Sequence, residues 1–322
     1  MKTRVITGII LGLVFIPAVI FGGVYYTILA LLLSAVGTYE LMNMFYKKSP
    51  KLKELRFVIP AFSVLLTGLM FRAENIFSEG ITIYITDGVL STLFDNIDAS
   101  TMYLSNIVLV LFAYIFFIVI LMIVNIFIKG TKAQDLMACV LSLTYGGLLL
   151  GCALAIEFVE PISFAGQRVW GGQLFAYIYL VIVLTDMFAY FIGCKFGKHR
   201  LCPNISPKKS VEGAIGGLVC GSIFGVLFAY LFDIVPIENG SATVEIISYL
   251  VIMLFVSIVI SIVGQIGDLV ASKLKRTYEI KDYGHLFPGH GGVMDRFDSL
   301  ILAGSFAYVF IILFRLITLG VI

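Results

Sequence analysis

Charge is what this chain lacks. Only 13% of its 322 residues are Asp, Glu, Lys or Arg, 60% are hydrophobic, and the mean hydropathy is +1.04. That balance excludes a soluble globular domain and predicts an all-α, polytopic helical membrane protein. The five cysteines (Cys139, Cys152, Cys194, Cys202 and Cys220) are odd in number, scattered, and mostly inside apolar runs. Such spacing supports neither a disulfide framework nor a zinc site, and small buried hydrophobes are their ordinary role. No small-residue cleavage site before a polar mature sequence follows the first apolar run, so it is expected to remain as membrane helix. No repeat or low-complexity tract stands out, and a net charge of +2 gives no reason to expect a nucleic-acid partner.

What is present is a series of long apolar segments. The first runs from Val5 to about Phe45, enough for about two bilayer crossings at ~1.5 Å per residue, meeting near Gly22-Gly23. Further segments run approximately over 57–71, 103–128, 135–159, 173–193, 213–235, 245–266 and 299–319, giving nine expected transmembrane helices in a single membrane domain, 1–322. The stretch 76–99 is interrupted by Glu79, Asp87 and Asp95 and reads as interfacial. With a cytoplasmic N-terminus, 19 of the 22 basic residues fall inside, leaving Arg72, Arg168 and Arg315 elsewhere. Acids such as Glu74, Asp98, Glu157, Glu160 and Glu238 collect outside. This one-sided Lys/Arg distribution is the positive-inside signal. It puts two charged loops, 194–212 and 267–298, on the cytoplasmic face.

The second of these loops holds most of the chemistry. From Asp268 to Asp298, charged side chains and two of the three histidines crowd into one short stretch between apolar runs. Charge this dense at a membrane surface must be solvated, ion-bound or paired with substrate. Asp268, Asp295 and Asp298 are the candidate metal ligands. Asp295 and Asp298 are three apart and share a face if Asp295 opens a helix. Asp268 ends the preceding span, so that two helix ends can converge. Hard carboxylate oxygens suit Mg²⁺ held jointly with phosphate. The preceding PGHGG, with Gly289, Gly291 and Gly292, is a flexible turn able to bring backbone N–H groups close to an anion. Each acid also has a plainer reading: Asp298 as a helix cap, Asp295 paired with Arg296 or Lys281, Asp268 as an ordinary helix-end carboxylate.

The other loop runs from Asp186 to Gly217. Asp186 sits late in an apolar run, where an acid is functional by default. Ser206, Lys208, Lys209 and Ser210 offer donors and positive charge suited to phosphate. Glu212 precedes the glycines that open the next span, and His199 reads as a surface or headgroup contact.

The stretch from Ser272 to Asp298 is similar to the signature of the phosphatidate cytidylyltransferase (CDP-diacylglycerol synthase) family. The matching positions are Ser272, Leu274, Lys275 and Arg276, then Lys281 and Asp282. Pro288, Gly289, His290, Gly291, Gly292 and Val293 follow, and Asp295, Arg296 and Asp298 complete it. The family's upstream element is matched by Asp186, Ala189, Tyr190, Gly193, Gly197, Lys198 and His199, and then by Ser206 to Ser210, Glu212 and Gly213. Val211 departs where the family often has an aromatic residue, which bears on packing near substrate. The C-terminal half, 171–322, carries the resemblance; the N-terminal helices, 1–170, are similar mainly in hydropathy.

What the resemblance implies is CTP + phosphatidate → CDP-diacylglycerol + pyrophosphate, within phospholipid synthesis in a bacterial inner membrane, with the site facing the cytoplasm. Asp268 and Asp295 are implied as ligands of a cation centre using Mg²⁺, with room for a monovalent ion, and Asp298 close by. Lys208, Lys209, Lys275, Arg276 and Arg296 would neutralise phosphate, and His290 with the glycines would shape the pyrophosphate site. Ser272, Lys281 and Asp282 belong to the same substrate-binding motif. Membrane lipids are expected partners, and a homodimer is compatible. Two rival readings stay open: a CTP-dependent lipid kinase, which would release CDP, and an ion-coupled transporter, whose charges should lie near the midplane.

Overall fold

The computed structural model of the chain describes residues 2–75, 99–164, 167–234 and 243–318. The expected interfacial stretch, but for its last residue, and Glu238 lie outside these. The described chain is a bundle of helices: α1 Lys2–Phe21, α2 Gly23–Lys48, α3 Leu55–Asn75, α4 Ala99–Phe127, α5 Ala133–Phe158, α6 Gly171–Phe196, α7 Val211–Leu231, α8 Thr243–Thr277 and α9 Met294–Thr318. Seven are long and apolar enough to cross a membrane; the apolar parts of α1 (Ile10–Phe21) and α3 (Leu55–Phe71) are shorter. The first apolar run breaks where expected. Gly22 (φ +57°) and Gly23 (φ +55°) take left-handed backbone that L side chains rarely adopt, separating α1 from α2. Two short hairpins interrupt the helical pattern, β1 (Ile162–Phe164) with β2 (Gln167–Val169) and β3 (Arg200–Cys202) with β4 (Ser206–Ser210), both antiparallel.

One boundary differs from the expected one in a way that matters. The span expected to end at 266 continues as α8 to Thr277. No Pro or Gly stops it between Asp268 and Thr277, and Ala271, Leu274, Lys275 and Arg276 are good helix formers. The start of the expected loop is therefore rigid helix. Asp268, Ser272 and Lys275, spaced four and three apart, share one of its faces.

Hydrocarbon gives little drive for one apolar helix to bury against another, so packing shape and internal hydrogen bonds decide the contacts. Gly213, Gly217, Gly221 and Gly225 line one face of α7 against α6. A Cβ on Gly217 would lie 2.5 Å from the Thr185 carbonyl, and one on Gly213 2.6 Å from that of Ala189. This glycine seam lets the two backbones approach at the level of Asp186.

The middle of α5, Leu143–Leu149, is π-helical. Its Gly146 and Gly147 carbonyls accept from Ser34 Oγ (3.2 Å) and Thr67 Oγ1 (3.4 Å) of α2 and α3. A π-bulge frees carbonyls from the helical ladder, and buried hydroxyls satisfy them here. A cluster of rings knits the two halves of the chain. Phe15 packs 5.5 Å from Phe297, and Tyr26 5.7 Å from Phe175. Tyr26 Oη donates to the Leu154 carbonyl at 3.0 Å.

Candidate active site

The carboxylates of the two signature segments divide into two groups. In the first, Asp268 (α8) pairs with Lys209 of β4 and accepts from Ser272 Oγ at 3.2 Å. Asp186 (α6) accepts from Ser299 Oγ at 3.1 Å, and Asp298 (α9) accepts from the Ser299 N–H at 2.9 Å. Asp186, Asp268 and Asp298 are close enough to act on one another electrostatically, with Lys209 and Arg296 acting on Asp186 and Lys275 on Asp298. Four stretches of chain, α6, β4, α8 and α9, supply this cluster. The close approach of α8 to α9 depends on Gly267, where a Cβ would lie 2.8 Å from the Asp298 carbonyl.

Asp295 belongs to the second group. Its Oδ1 takes the buried Lys275 ammonium at 2.8 Å, and its Oδ2 takes the N–H groups of Tyr283 (2.7 Å) and Gly292 (3.0 Å). Both oxygens are committed to holding the loop. Lys275 also lies over the Tyr283 ring, 5.2 Å from its centroid. Burial holds the Tyr283 phenol well above its usual pKa, and it donates to the Ala271 carbonyl at 2.9 Å. Asp295 is thus the clasp between α8, the loop and α9. It does not pair with Arg296 or Lys281, and Asp298, a turn inside α9, does not cap that helix.

The PGHGG turn is closed by hydrogen bonds. The His290 N–H donates to the Phe287 carbonyl at 2.8 Å across Pro288 and Gly289 (φ +78°), the residue order of a type II turn. The Phe287 N–H returns to the Gly291 carbonyl at 2.9 Å, and Thr7 Oγ1 of α1 donates to the Pro288 carbonyl at 3.1 Å. Around this turn lies a cavity of about 630 Å³ lined by Lys281, Asp282, His285, Phe287 to Gly291, and Arg296. Arg296 therefore faces both the cavity and the Asp186 cluster.

The upstream segment is closed by its own residues. Glu212 accepts from the N–H groups of Lys198 (3.0 Å) and His199 (3.2 Å) and meets His199 Nδ1 at 2.6 Å. Ser210 Oγ caps α7 by accepting from the Gly213 N–H at 3.2 Å. Ser206 pairs with Cys202 across the hairpin, Lys208 is exposed, and Arg276 ties α8 to the hairpin through the Ile205 carbonyl at 3.4 Å. All five cysteines are free thiols.

Among the described residues, no three His, Cys, Asp or Glu side chains converge on one point as a ready-made metal cage. The hard-oxygen donors Asp186, Asp268 and Asp298 nevertheless fit a Mg²⁺ ion that takes one or two carboxylates from protein and the rest from phosphate and water.

Two residues of the N-terminal half escaped the sequence reading. Glu40, buried within α2, accepts from the N–H groups of Val293 (3.1 Å) and Met294 (3.0 Å). Tyr145, in the π segment of α5, is buried with its hydroxyl unpartnered, within electrostatic reach of Asp268 and Asp298. The signal for Glu40 was available: an acid inside the first apolar run, marked by the same rule that singled out Asp186. Tyr145 sits among 16 tyrosines, and nothing in its neighbourhood marks it.

Residues 2–314 match the sequence profile of the group described as the cytidylyltransferase family. The phosphatidate cytidylyltransferase of Bacillus subtilis (strain 168) is 31% identical over 316 residues, 98% of each chain. That of Staphylococcus haemolyticus is 31% identical over 301 residues, 94% of this chain and 95% of the relative. That of Staphylococcus epidermidis is 29% identical over 302 residues with the same coverage. With the profile matched over nearly its whole length, this chain belongs to the cytidylyltransferase family.

Proposed function

We propose that this protein transfers the cytidylyl group of CTP to phosphatidate, giving CDP-diacylglycerol and pyrophosphate, at the cytoplasmic face of a bacterial membrane that the chain crosses nine times. The observation that carries the reading is the meeting of Asp186, Lys209, Asp268 and Asp298 beside a cavity lined by Lys281, His290 and Arg296. Acid and base gathered at helix ends on the Lys/Arg-rich side suit a reaction between a headgroup phosphate and a nucleotide from the cytoplasm. They do not suit ion passage at the midplane.

A phosphate oxygen of phosphatidate attacks the α-phosphorus of CTP. One P–O bond forms, the α–β phosphoanhydride breaks, and pyrophosphate leaves with the electron pair. The attacking phosphate is already ionised at neutral pH, so no general base is needed. The barrier is alignment of two anions and neutralisation of their charge. Mg²⁺ held by Asp268 and Asp298, with Asp186 beside them, would supply part of that neutralisation. Lys209 balances the acids, Arg296 spans the acid cluster and the cavity, and Lys281 and His290 shape the cavity for phosphates. Asp295 acts indirectly, by fixing the loop through Lys275.

The test is purified protein with phosphatidate, Mg²⁺ and CTP labelled at either the α- or the γ-phosphorus. Label from the α position in lipid and from the γ position in pyrophosphate is the expected result; γ-label in lipid would make the protein a kinase. Reporter fusions should place the N-terminus in the cytoplasm and the C-terminus outside, and both on one side would overturn nine crossings.

A further inference from the structure

Helix α9 begins with a deficiency. The first N–H groups of any helix have no intrahelical acceptor, and the preceding side chain ordinarily supplies one, from Ser, Thr, Asp or Asn. Here the preceding residue is Val293, fully buried and with no acceptor. Glu40 makes up the difference from 253 residues away. Its Oε1 accepts from the Val293 N–H and its Oε2 from the Met294 N–H. It is 6% exposed, eight residues before the end of α2 at Lys48. Its two carboxyl oxygens lie at the positive end of the α9 dipole.

The surroundings are shaped to this carboxylate. A Cβ on Gly292 or on Gly284 would run into its oxygens, and one on Gly37, a turn earlier in α2, would lie 2.8 Å from Met294 Sδ. The end of α2 is fastened to the same region. Lys48 Nζ donates to the Thr277 carbonyl at 3.2 Å, and Phe45 packs edge-on to Tyr278 with centroids 4.8 Å apart.

We propose that Glu40 is a positioning residue for the reaction: it supplies from the N-terminal half the cap that α9 lacks, and so sets where Asp295, Arg296 and Asp298 stand. This rests on the reading that those residues belong to the active site. Gln in its place keeps the volume but turns one acceptor into a donor facing a buried N–H. That leaves at least one amide unsatisfied. The first turn of α9 then loosens, and with it the side chains that must be aligned within fractions of an ångström.

Hydrogen exchange and kinetics on Glu40→Gln in lipid nanodiscs test this together. Exchange of the Val293 and Met294 amides should accelerate by roughly tenfold or more, with wild-type rates kept in α6 and α7 and a melting temperature lowered by no more than a few degrees. In parallel kcat should fall by about tenfold or more. Gly284→Ala, which crowds the carboxylate without altering it, should give the same local pattern and covers the case in which Glu40→Gln does not fold. Unchanged Val293 and Met294 exchange in either folded variant would overturn the proposal. So would faster local exchange with wild-type kcat, or acceleration spread evenly over the bundle. Asp268→Asn and Asp298→Asn are measured alongside. If both keep full activity, the active-site reading fails, whatever the Glu40 amides do.

Discussion

The two charged segments are closed in different ways. The stretch from Lys198 to Gly213 is folded mainly by contacts within itself, Glu212 reaching back 14 residues to Lys198 and Ser210 capping the helix it introduces, and it joins α8 through Lys209 and the Ile205 carbonyl. The stretch from Lys281 to Arg296 is held from afar, by Lys275 of α8, Glu40 of α2 and Thr7 of α1. A segment folded mainly by its own residues keeps most of its contacts close in sequence. One fastened by remote helices carries its shape only inside the assembled bundle.

Where the two segments meet, removing charge from the cluster of Asp186, Asp268 and Asp298 is expected to give the largest effect. Asp268→Asn should cut turnover by roughly 10²–10⁴-fold while the melting temperature stays within a few degrees. Full activity in folded protein would return Asp268 to an ordinary helix-end carboxylate. Asp295→Asn should act differently, because it strands a buried Lys275. Its cost is stability, about 3–5 kcal/mol for an uncompensated buried charge, read as a lower melting temperature and rapid proteolysis between Lys281 and Arg296. If Asp295→Asn instead loses activity at full stability, Asp295 is a ligand and the division into two groups falls.

The segment from Lys198 to Gly213 should separate its two lysines. Lys209→Gln removes the partner of Asp268 and is expected to lower kcat by about tenfold or more, whereas the exposed Lys208→Gln should lower it less. Equal effects, measured in mixed micelles at saturating phosphatidate, would reduce the hairpin to generic basic charge. The smallest effect belongs to Lys51 and Lys53 on the same face. Replacing both with Gln should weaken attraction to anionic lipid by about 1 kcal/mol per charge and leave saturated turnover near wild type.

The order and type of the helices could be read from the chain, because apolar length is a sum over many residues and tolerates local error. The break at Gly22-Gly23 was readable for the same kind of reason, since the run from Val5 to Phe45 is about two crossings long and the glycine pair lies near its middle. The pairing of acids was not. Asp295 and Asp298 look equivalent in sequence, yet they take different partners, Lys275 for one and the Asp186–Asp268 cluster for the other. Which partner each meets depends on α8 continuing to Thr277, a boundary that hydropathy placed about three turns too early, where polar residues begin. Glu40 was legible as an acid inside an apolar run, but its partners were not, because backbone amides have no letter in the sequence.

The uninterrupted α8 has a mechanical consequence. Its 35 residues make a rod of about 52 Å at ~1.5 Å per residue, far longer than the ~30 Å hydrocarbon needs. Exposed Val251 and Phe255 at one end and Asp268, Ser272 and Lys275 at the other ride on the same lever. A bilayer that is too thin or too thick tilts such a helix at a cost of fractions of a kcal/mol per ångström. Here the tilt also swings the acid and the base that grip Lys209 and Asp295. Changing acyl-chain length in nanodiscs is therefore expected to move the geometry of the site through this one element, read as a change in kcat between thin and thick bilayers.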